Sequence, residues 1–593
     1  MLMSRANQNF HDILLRLLAS IATLLVVSVG VVAQEDESRN AAPRTGAISG
    51  RVVNENGQPV PHAAIYVGVP MDPMQGRATS TDDSGNFLVS GLDALIYTVS
   101  ASAPTYFIPP RDPEALPPFY RLGDSVTITL IKGGVITGTV TSPTGEPLAQ
   151  VSVRAIIVRD VNGKPPSPDR FAIDRQTDDR GVYRIYGLPT GTYVVAAGGR
   201  STYGYANNAY DTDVPTYAPS SARETAVEVA VQAGGEATVD IRYRGYSGHV
   251  VSGMVTGPIA SNSNTNITLA QIVNGAPLYN SVSFQQYNRK GFAFYGVADG
   301  EYDVVAQSYF GRGEAIASEP RRITVKGADI TGLELVVREL ASIRGRLVLE
   351  PSTAAECKNK RQPLLPETVL VARRSEKNTP KDQLALSNFF AQSVPNTAGD
   401  FVMNNLSPGQ FKLNTRFFAK YWYLRSIIRE TPGATTSRTG VANRQADLAR
   451  NGINLKFGER VSGVSIRLAA GAASLRGAVK QPEGESLPAR LYLHLVPVEK
   501  ENAEDVLRFF MTAVQADGTF AFNNLPPGRY WALARQVADA DPQSDATLRS
   551  FEEGDTRLKI RRAAEAARTE VEFKPCQNII DYQLRFKISS LKN

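Results

Sequence analysis

The chain has 593 residues, 42% of them apolar and 21% charged, and a formal net charge of +6. That length exceeds what one hydrophobic core supports, at roughly 100 to 200 residues per domain, and the composition excludes low-complexity disorder and a collagen-like repeat. Basic and acidic residues alternate along most of the chain, the pattern of a solvated surface, which argues against nucleic acid as a partner.

The chain opens with an export segment. Arg5 and Arg16 flank a short polar stretch, an apolar run follows from Leu17 to Val32, and Val31-Val32-Ala33 offers small residues for cleavage. Residues 1–33 read as a signal peptide and 34–45 as a linker. The alternative is an uncleaved anchor helix, because roughly 16 to 19 apolar residues can just span a bilayer of about 30 Å. Either reading places the remainder outside the cytoplasm, since the positive residues precede the apolar run, and a membrane contact is expected only through this segment if it stays uncleaved. Cleavage removes Arg5, Asp12 and Arg16 and lowers the charge from +6 to +5.

Beyond the linker one pattern recurs five times. Each unit opens on a β-rich segment carrying a glycine: Ile48 to Val52 around Gly50, Ile136 to Val140 around Gly138, Val251 to Val255 around Gly253, Ile343 to Leu347 around Gly345, and Leu475 to Val479 around Gly477. Tight turns follow at Asn56-Gly57-Gln58-Pro59, Thr144-Gly145-Glu146-Pro147 and Glu483-Gly484-Glu485. Next come hairpins of the form Asp-x-x-Gly-x-aromatic, at Asp82 to Phe87 and Asp178 to Tyr183, with Gly399-Asp400-Phe401, Asp517-Gly518-Thr519-Phe520 and the looser Lys290-Gly291-Phe292 in the remaining units. A reversal into an aromatic-led strand follows at Leu188 to Tyr193, Asp299 to Tyr302, Leu406 to Phe411 and Leu525 to Tyr530, and the first unit keeps Gly91-Leu92 and Tyr97. Tyrosines at this step, Tyr193, Tyr302 and Tyr530, are expected to bury their rings and bond loop backbone through their hydroxyls.

Each unit closes on a period-two run, with Val126, Ile128 and Leu130 in the first, Val239, Ile241 and Tyr243 in the second, and Leu333, Leu335 and Val337 in the third. Ile466 and Leu468 do the same in the fourth and Val571 and Phe573 in the fifth. These read as half-buried antiparallel strands. No sustained helical period is found after the signal, and even Lys559-Ile560-Arg561-Arg562 reads as an exposed strand face. The expected modules are 46–131, 132–245, 246–340, 341–470 and 471–573, with 574–593 as a C-terminal tail.

These motifs resemble the carboxypeptidase regulatory-like domain, a prealbumin-like (transthyretin-like) sandwich of about seven strands often grouped under a carbohydrate-binding-like fold. The resemblance implies an all-β chain of tandem antiparallel seven-stranded prealbumin-like β-sandwiches after an N-terminal signal helix. It also implies a setting in an exported bacterial protein, and no substrate. In metallocarboxypeptidases the module accompanies a separate zinc domain, which this sequence lacks.

Chemistry is not indicated. After export only His62, His249 and His494 remain, dispersed along the chain, and no HxxE, HExxH, GxSxG or GxxxxGK is present. His62 follows a turn, and His494 alternates with Leu493 and Leu495, so it is expected to face solvent or a satisfied edge. Asp539, Asp541 and Asp545 lack the glycine and terminal glutamate of a calcium loop. Lys480 is the one lysine near an opening strand for a Lys-to-Asn isopeptide bond of the kind collagen-adhesin modules form, and an exposed strand lysine is the simpler account. No catalytic residue, metal or cofactor is therefore expected. Cys357 and Cys576, the only cysteines, could pair in an oxidising compartment and tie the tail to the fourth module.

A binding role is expected at a tyrosine-rich loop of the second unit, where Tyr203, Tyr205, Tyr210 and Tyr217 stand among Asn207, Asn208, Asp211 and Asp213, suited to sugar stacking or protein contact. Packing at a module junction is the competing account, since the first unit carries a similar insertion with Tyr106, Phe107, Phe119 and Tyr120. Trp422 fits a core plug as well as a ligand contact. Two readings follow: a non-catalytic scaffold or adhesin presenting loops to a glycan or envelope protein, or an accessory partner of an envelope receptor, export or peptidase system. The expected location is secreted, periplasmic or at the cell surface.

Overall fold

The computed structural model describes residues 45–70, 72–109, 118–163, 173–199, 209–259, 264–273, 275–277, 282–287, 291–309, 315–375, 390–429, 446–480, 487–488, 491–536 and 554–585. The signal segment 1–33 and the linker to residue 44 lie outside the described residues.

The five opening segments all become strands, Gly46–Asn54, Gly134–Thr141, His249–Thr256, Ala341–Glu350 and Ala473–Lys480. Each lies between an antiparallel hairpin strand on one side and a parallel closing strand on the other. The repeated glycine has one physical cause throughout. It stands directly opposite the hairpin aromatic, Gly50 with Phe87, Gly138 with Tyr183, Gly253 with Phe292, Gly345 with Phe401 and Gly477 with Phe520. A β-carbon there would come within 2.2 Å of the Val126 carbonyl oxygen at Gly50 and within 2.0 Å of the Val464 oxygen at Gly345. The closing strand's carbonyl occupies the space of the missing side chain at all five glycines, joined by the aromatic side chain at Gly50, Gly138 and Gly345, and the cross-strand pairing also fixes register.

The hairpins form as their residues dictate. Asp82 Oδ1 accepts from the amides of Ser84 and Asn86, and Asp178 Oδ1 from those of Arg180 and Val182. Gly85 and Gly181 supply the positive φ, 75° and 72°, that closes each turn. In the fourth unit Asn396 takes the aspartate's place, accepting from Ala398 and Asp400. At the next reversal a tyrosine hydroxyl donates to the carbonyl four residues back: Tyr97 to Asp93, Tyr193 to Pro189, Tyr302 to Ala298 and Tyr530 to Pro526, at 2.7 to 3.1 Å. Their rings are buried.

A second sheet faces the first in each unit, and an apolar cluster fills the space between, around Ile65, Val153, Val304, Leu370 and Leu493 in turn. The chain is mostly antiparallel β-sheet in small sandwich-like pairs whose sheets range from three to seven strands, and the two sheets of the first unit and of the fifth unit together carry seven.

Three further expectations are corrected. The closing runs, read as antiparallel strands, pair parallel with the opening strands in the first four units, and those of the first and fourth are antiparallel to their other neighbour. Alternation reports one buried face and is blind to a neighbour's direction. In the fifth unit the run with Val571 and Phe573 pairs instead with Gly528–Gln536, and the parallel partner of the opening strand is Asn578–Arg585, inside the segment read as a tail. Finally, Lys559 to Arg562 lie in an α-helix, Gly554–Ala567. Its buried residues Arg557, Ile560 and Ala564 are three and four apart, and its Ala, Arg, Lys and Glu are strong helix formers. The helix packs on Val496, Phe509 and Leu533, and Arg561 donates to the carbonyls of Pro497 and Val498 while covering the Trp531 ring.

The junction of the fourth and fifth units is tightly built. The Nδ2 of Asn524 donates to the carbonyls of Ala419 and Trp422, and the amides of Gly471 and Ala472 donate to Tyr421. Val506 sits in the fourth unit's core. The sulfurs of Cys357 and Cys576 are bonded in the structure, with Cα atoms 5.4 Å apart.

Candidate functional site

The loop of the second unit is the place to look for binding, and its described part is residues 209–226. It is anchored on the sheet centred on Ser152–Asp160 and Gly191–Ala197. Thr216 and Tyr217 pair with Ala197 and Ala196, which seats the Tyr217 ring on Ile156 and Val194 on the sheet's outer face. Tyr210 meets Tyr243 edge-on at 5.3 Å, and the Tyr243 hydroxyl donates to Asp213 at 2.8 Å. Burial and then the Asp213 carboxylate push the Tyr243 phenol well above its ordinary range.

Beneath this loop lies Arg154, only 4% exposed, whose Nη2 donates to the Gly198 carbonyl at 2.8 Å. Burial lowers the pKa of its guanidinium, and Tyr217, Asp174 and Asp211 act in the opposite direction. Asp211 thus belongs to the electrostatic surround of a buried cation. Arg154 was the signal that sequence reading passed over: an arginine inside the apolar run Val151 to Val158.

The loop also spaces two units. Gly296 lies so near Asp213 that a β-carbon would be 2.4 Å from the Asp213 carbonyl oxygen, and one at Gly248 would be 2.5 Å from the Val214 Cγ2 methyl. The Val214 amide donates to Tyr246. The structure therefore brings Tyr210, Asp211, Asp213 and Tyr217 together as packing and charge-balancing groups. Tyr203, Tyr205, Asn207 and Asn208 lie outside the described residues. Of the corresponding aromatics in the first unit, Phe119 is buried against the fourth unit and Tyr120 bridges to Tyr97. Trp422 is a core residue of the fourth unit.

The histidines are separated. His62 faces Asp83 at 3.5 Å, and His249 stands between Asp299 at 3.1 Å and Asp329 at 3.8 Å. His494, expected to face solvent or a satisfied edge, is instead buried on a strand paired on both sides. It lies on the sheet face that carries Val496 and Leu533, and burial, then Arg535, holds its imidazole down at about 4. Asp539, Asp541 and Asp545 lie outside the described residues. Among the described residues no three His, Cys, Asp or Glu side chains are grouped to hold a metal ion, and no helix is long and apolar enough to cross a membrane.

The carboxypeptidase regulatory-like domain family matches residues 47–107. The first unit is therefore similar to that domain along most of its length. No curated protein matches the chain. Among solved structures, the TIE protein of Bacillus anthracis is 16% identical, with 50% of each chain covered and a TM-score of 0.13. The chain thus spans half the length of that protein. The minor pilin GBS52 of Streptococcus agalactiae is 16% identical over 34% of this chain and 96% of that one, with a TM-score of 0.18. The shaft pilin SpaA of Lactobacillus rhamnosus GG is 9% identical over 34% and 98%, with a TM-score of 0.16.

Proposed function

We propose that this protein is an exported, non-catalytic scaffold of five sandwich modules, divided near residues 46, 132, 246, 341 and 471, that presents loops for glycan or protein binding at the cell envelope. The observation that carries this reading is the repeated tie of opening glycine, hairpin aromatic and closing strand, which spends the recurrent residues on building the same support five times. The apolar run before Ala33 supports export. In the second unit Tyr210 and Tyr217 would anchor the loop, leaving Tyr203, Tyr205 and Asn207 as the groups to test for contact.

Crosslinking mass spectrometry on the intact envelope, together with a glycan array probed with the full chain, tests the reading. Reproducible crosslinks or glycan signals that weaken in Tyr203→Ala/Tyr205→Ala are expected. A blank array and no crosslinked neighbour would remove the binding role.

A further inference from the structure

The outer faces of the second sheets are covered differently from unit to unit. In the second unit the loop bearing Tyr217 lies over Ile156 and Val194, and in the fifth the helix Gly554–Ala567 covers Val496 and Leu533. The fourth unit takes its cover from a distant part of the chain. Ile96 and Phe119 of the first unit close over Val369 and Val371, with Phe418 and Val394 at the margin. Ile96 and Val369 are fully buried there. The Arg121 guanidinium stacks over the Phe418 ring at 4.5 Å and pairs with Glu367 at 3.6 Å, and Arg416 stacks over Phe119.

The first unit joins the second through a single residue. Its closing strand ends at Lys132 and the next opening strand begins at Gly134, leaving Gly133 as the whole connection. Gly133 is pressed against Gly187, where a β-carbon would be 2.5 Å from backbone. A short, crowded hinge between two docked bodies is the setting in which exchange between chains costs least, because the exchanged contact is chemically the same. Within one chain the tether supplies an effective concentration on the order of millimolar, which favours closure at low protein concentration.

We propose that the first unit is an exchangeable cap: it covers the Val369 and Val371 face of its own fourth unit in the monomer, and the same face of a second copy when chains are concentrated. The occupant is a first unit in both cases, and the interface is continuous with the one already formed within the chain. The covalent connection, the hinge and the contact of Tyr106–Phe107 with Val182–Leu188 beside it distinguish the two states.

The full-length chain is followed by size exclusion with light scattering from about 1 µM up to about 1 mM, the order of that effective concentration. Assemblies of two or more chains should grow with concentration and be lost in Phe119→Ala and, separately, in Phe418→Ala, which alter opposite sides of the contact. A Val371→Cys chain should react with maleimide about tenfold more slowly with Phe119 present than in the Phe119→Ala background, whether the chain is single or assembled. A single-chain mass at every concentration overturns the exchange. Assembly that persists in both alanine variants, or equal labelling of Val371→Cys in both backgrounds, overturns the cap.

Discussion

Acidification should loosen the fifth unit through His494. The imidazole is buried on the face covered by the helix Gly554–Ala567, and its folded value of about 4 lies below the ordinary 6.5. The unfolded chain therefore binds a proton between these two values that the folded chain refuses. Stability from keeping His494 neutral is complete above pH 6.5 and is lost as pH falls toward 4. At 1.36 kcal/mol per pH unit the full loss is about 3 kcal/mol, and between pH 7 and 4.5 it is about 2 kcal/mol, or on the order of 30-fold in the opening equilibrium. Hydrogen exchange on peptides spanning Leu491–Pro497, expressed as protection factors, reads that opening. The comparison is with His494→Leu, which keeps the bulk and removes the titration, so that carboxylates titrating in the same range cancel. Protection in the wild type should fall by that factor relative to the variant. An identical pH dependence in the two proteins would refute the argument from burial.

Gly345→Ala should destabilise the fourth unit by about 3 kcal/mol, since its β-carbon meets the Val464 carbonyl and the opening strand must shift. Gly57→Ala, with open space around it and only a φ of 76° to offend, should cost about 1 kcal/mol; denaturant midpoints for the two variants compare them. Tyr193→Phe and Tyr530→Phe should each lose about 1 kcal/mol by removing the hydroxyl bond to Pro189 or Pro526, visible as faster exchange in their own unit and not elsewhere. Reducing the Cys357 to Cys576 bond frees a link across 219 residues, worth up to about 5 kcal/mol in chain entropy, and should lower the thermal midpoint; an unchanged midpoint in Cys357→Ala/Cys576→Ala would show that the junction holds without it.

Much of the local structure was legible because it is written in residues close together. Asp82 to Phe87 and Asp178 to Tyr183 specify a turn with its own acceptor, donors and positive φ, and Tyr193 finds its carbonyl only four residues away. Asn396 was missed because the amide does the carboxylate's work under a different letter. The run at 554–567 was misread because Leu558 and Ile560 alternate over three positions, whereas the buried set Arg557, Ile560 and Ala564 is visible only across two helical turns.

The linear chain therefore determined that a unit with an opening glycine, a hairpin aromatic and a tyrosine corner repeats, because each depends on short-range stereochemistry. Tertiary structure decided why the glycine is required, because the carbonyl that fills its place comes from a strand 76 residues later at Gly50 and Val126 and 119 later at Gly345 and Val464. It also decided that His494, on the outward face its alternation implies, is nevertheless buried, and that Phe119 serves the fourth unit. Periodicity tells which face of a strand a side chain takes, and only the rest of the folded chain tells what covers that face.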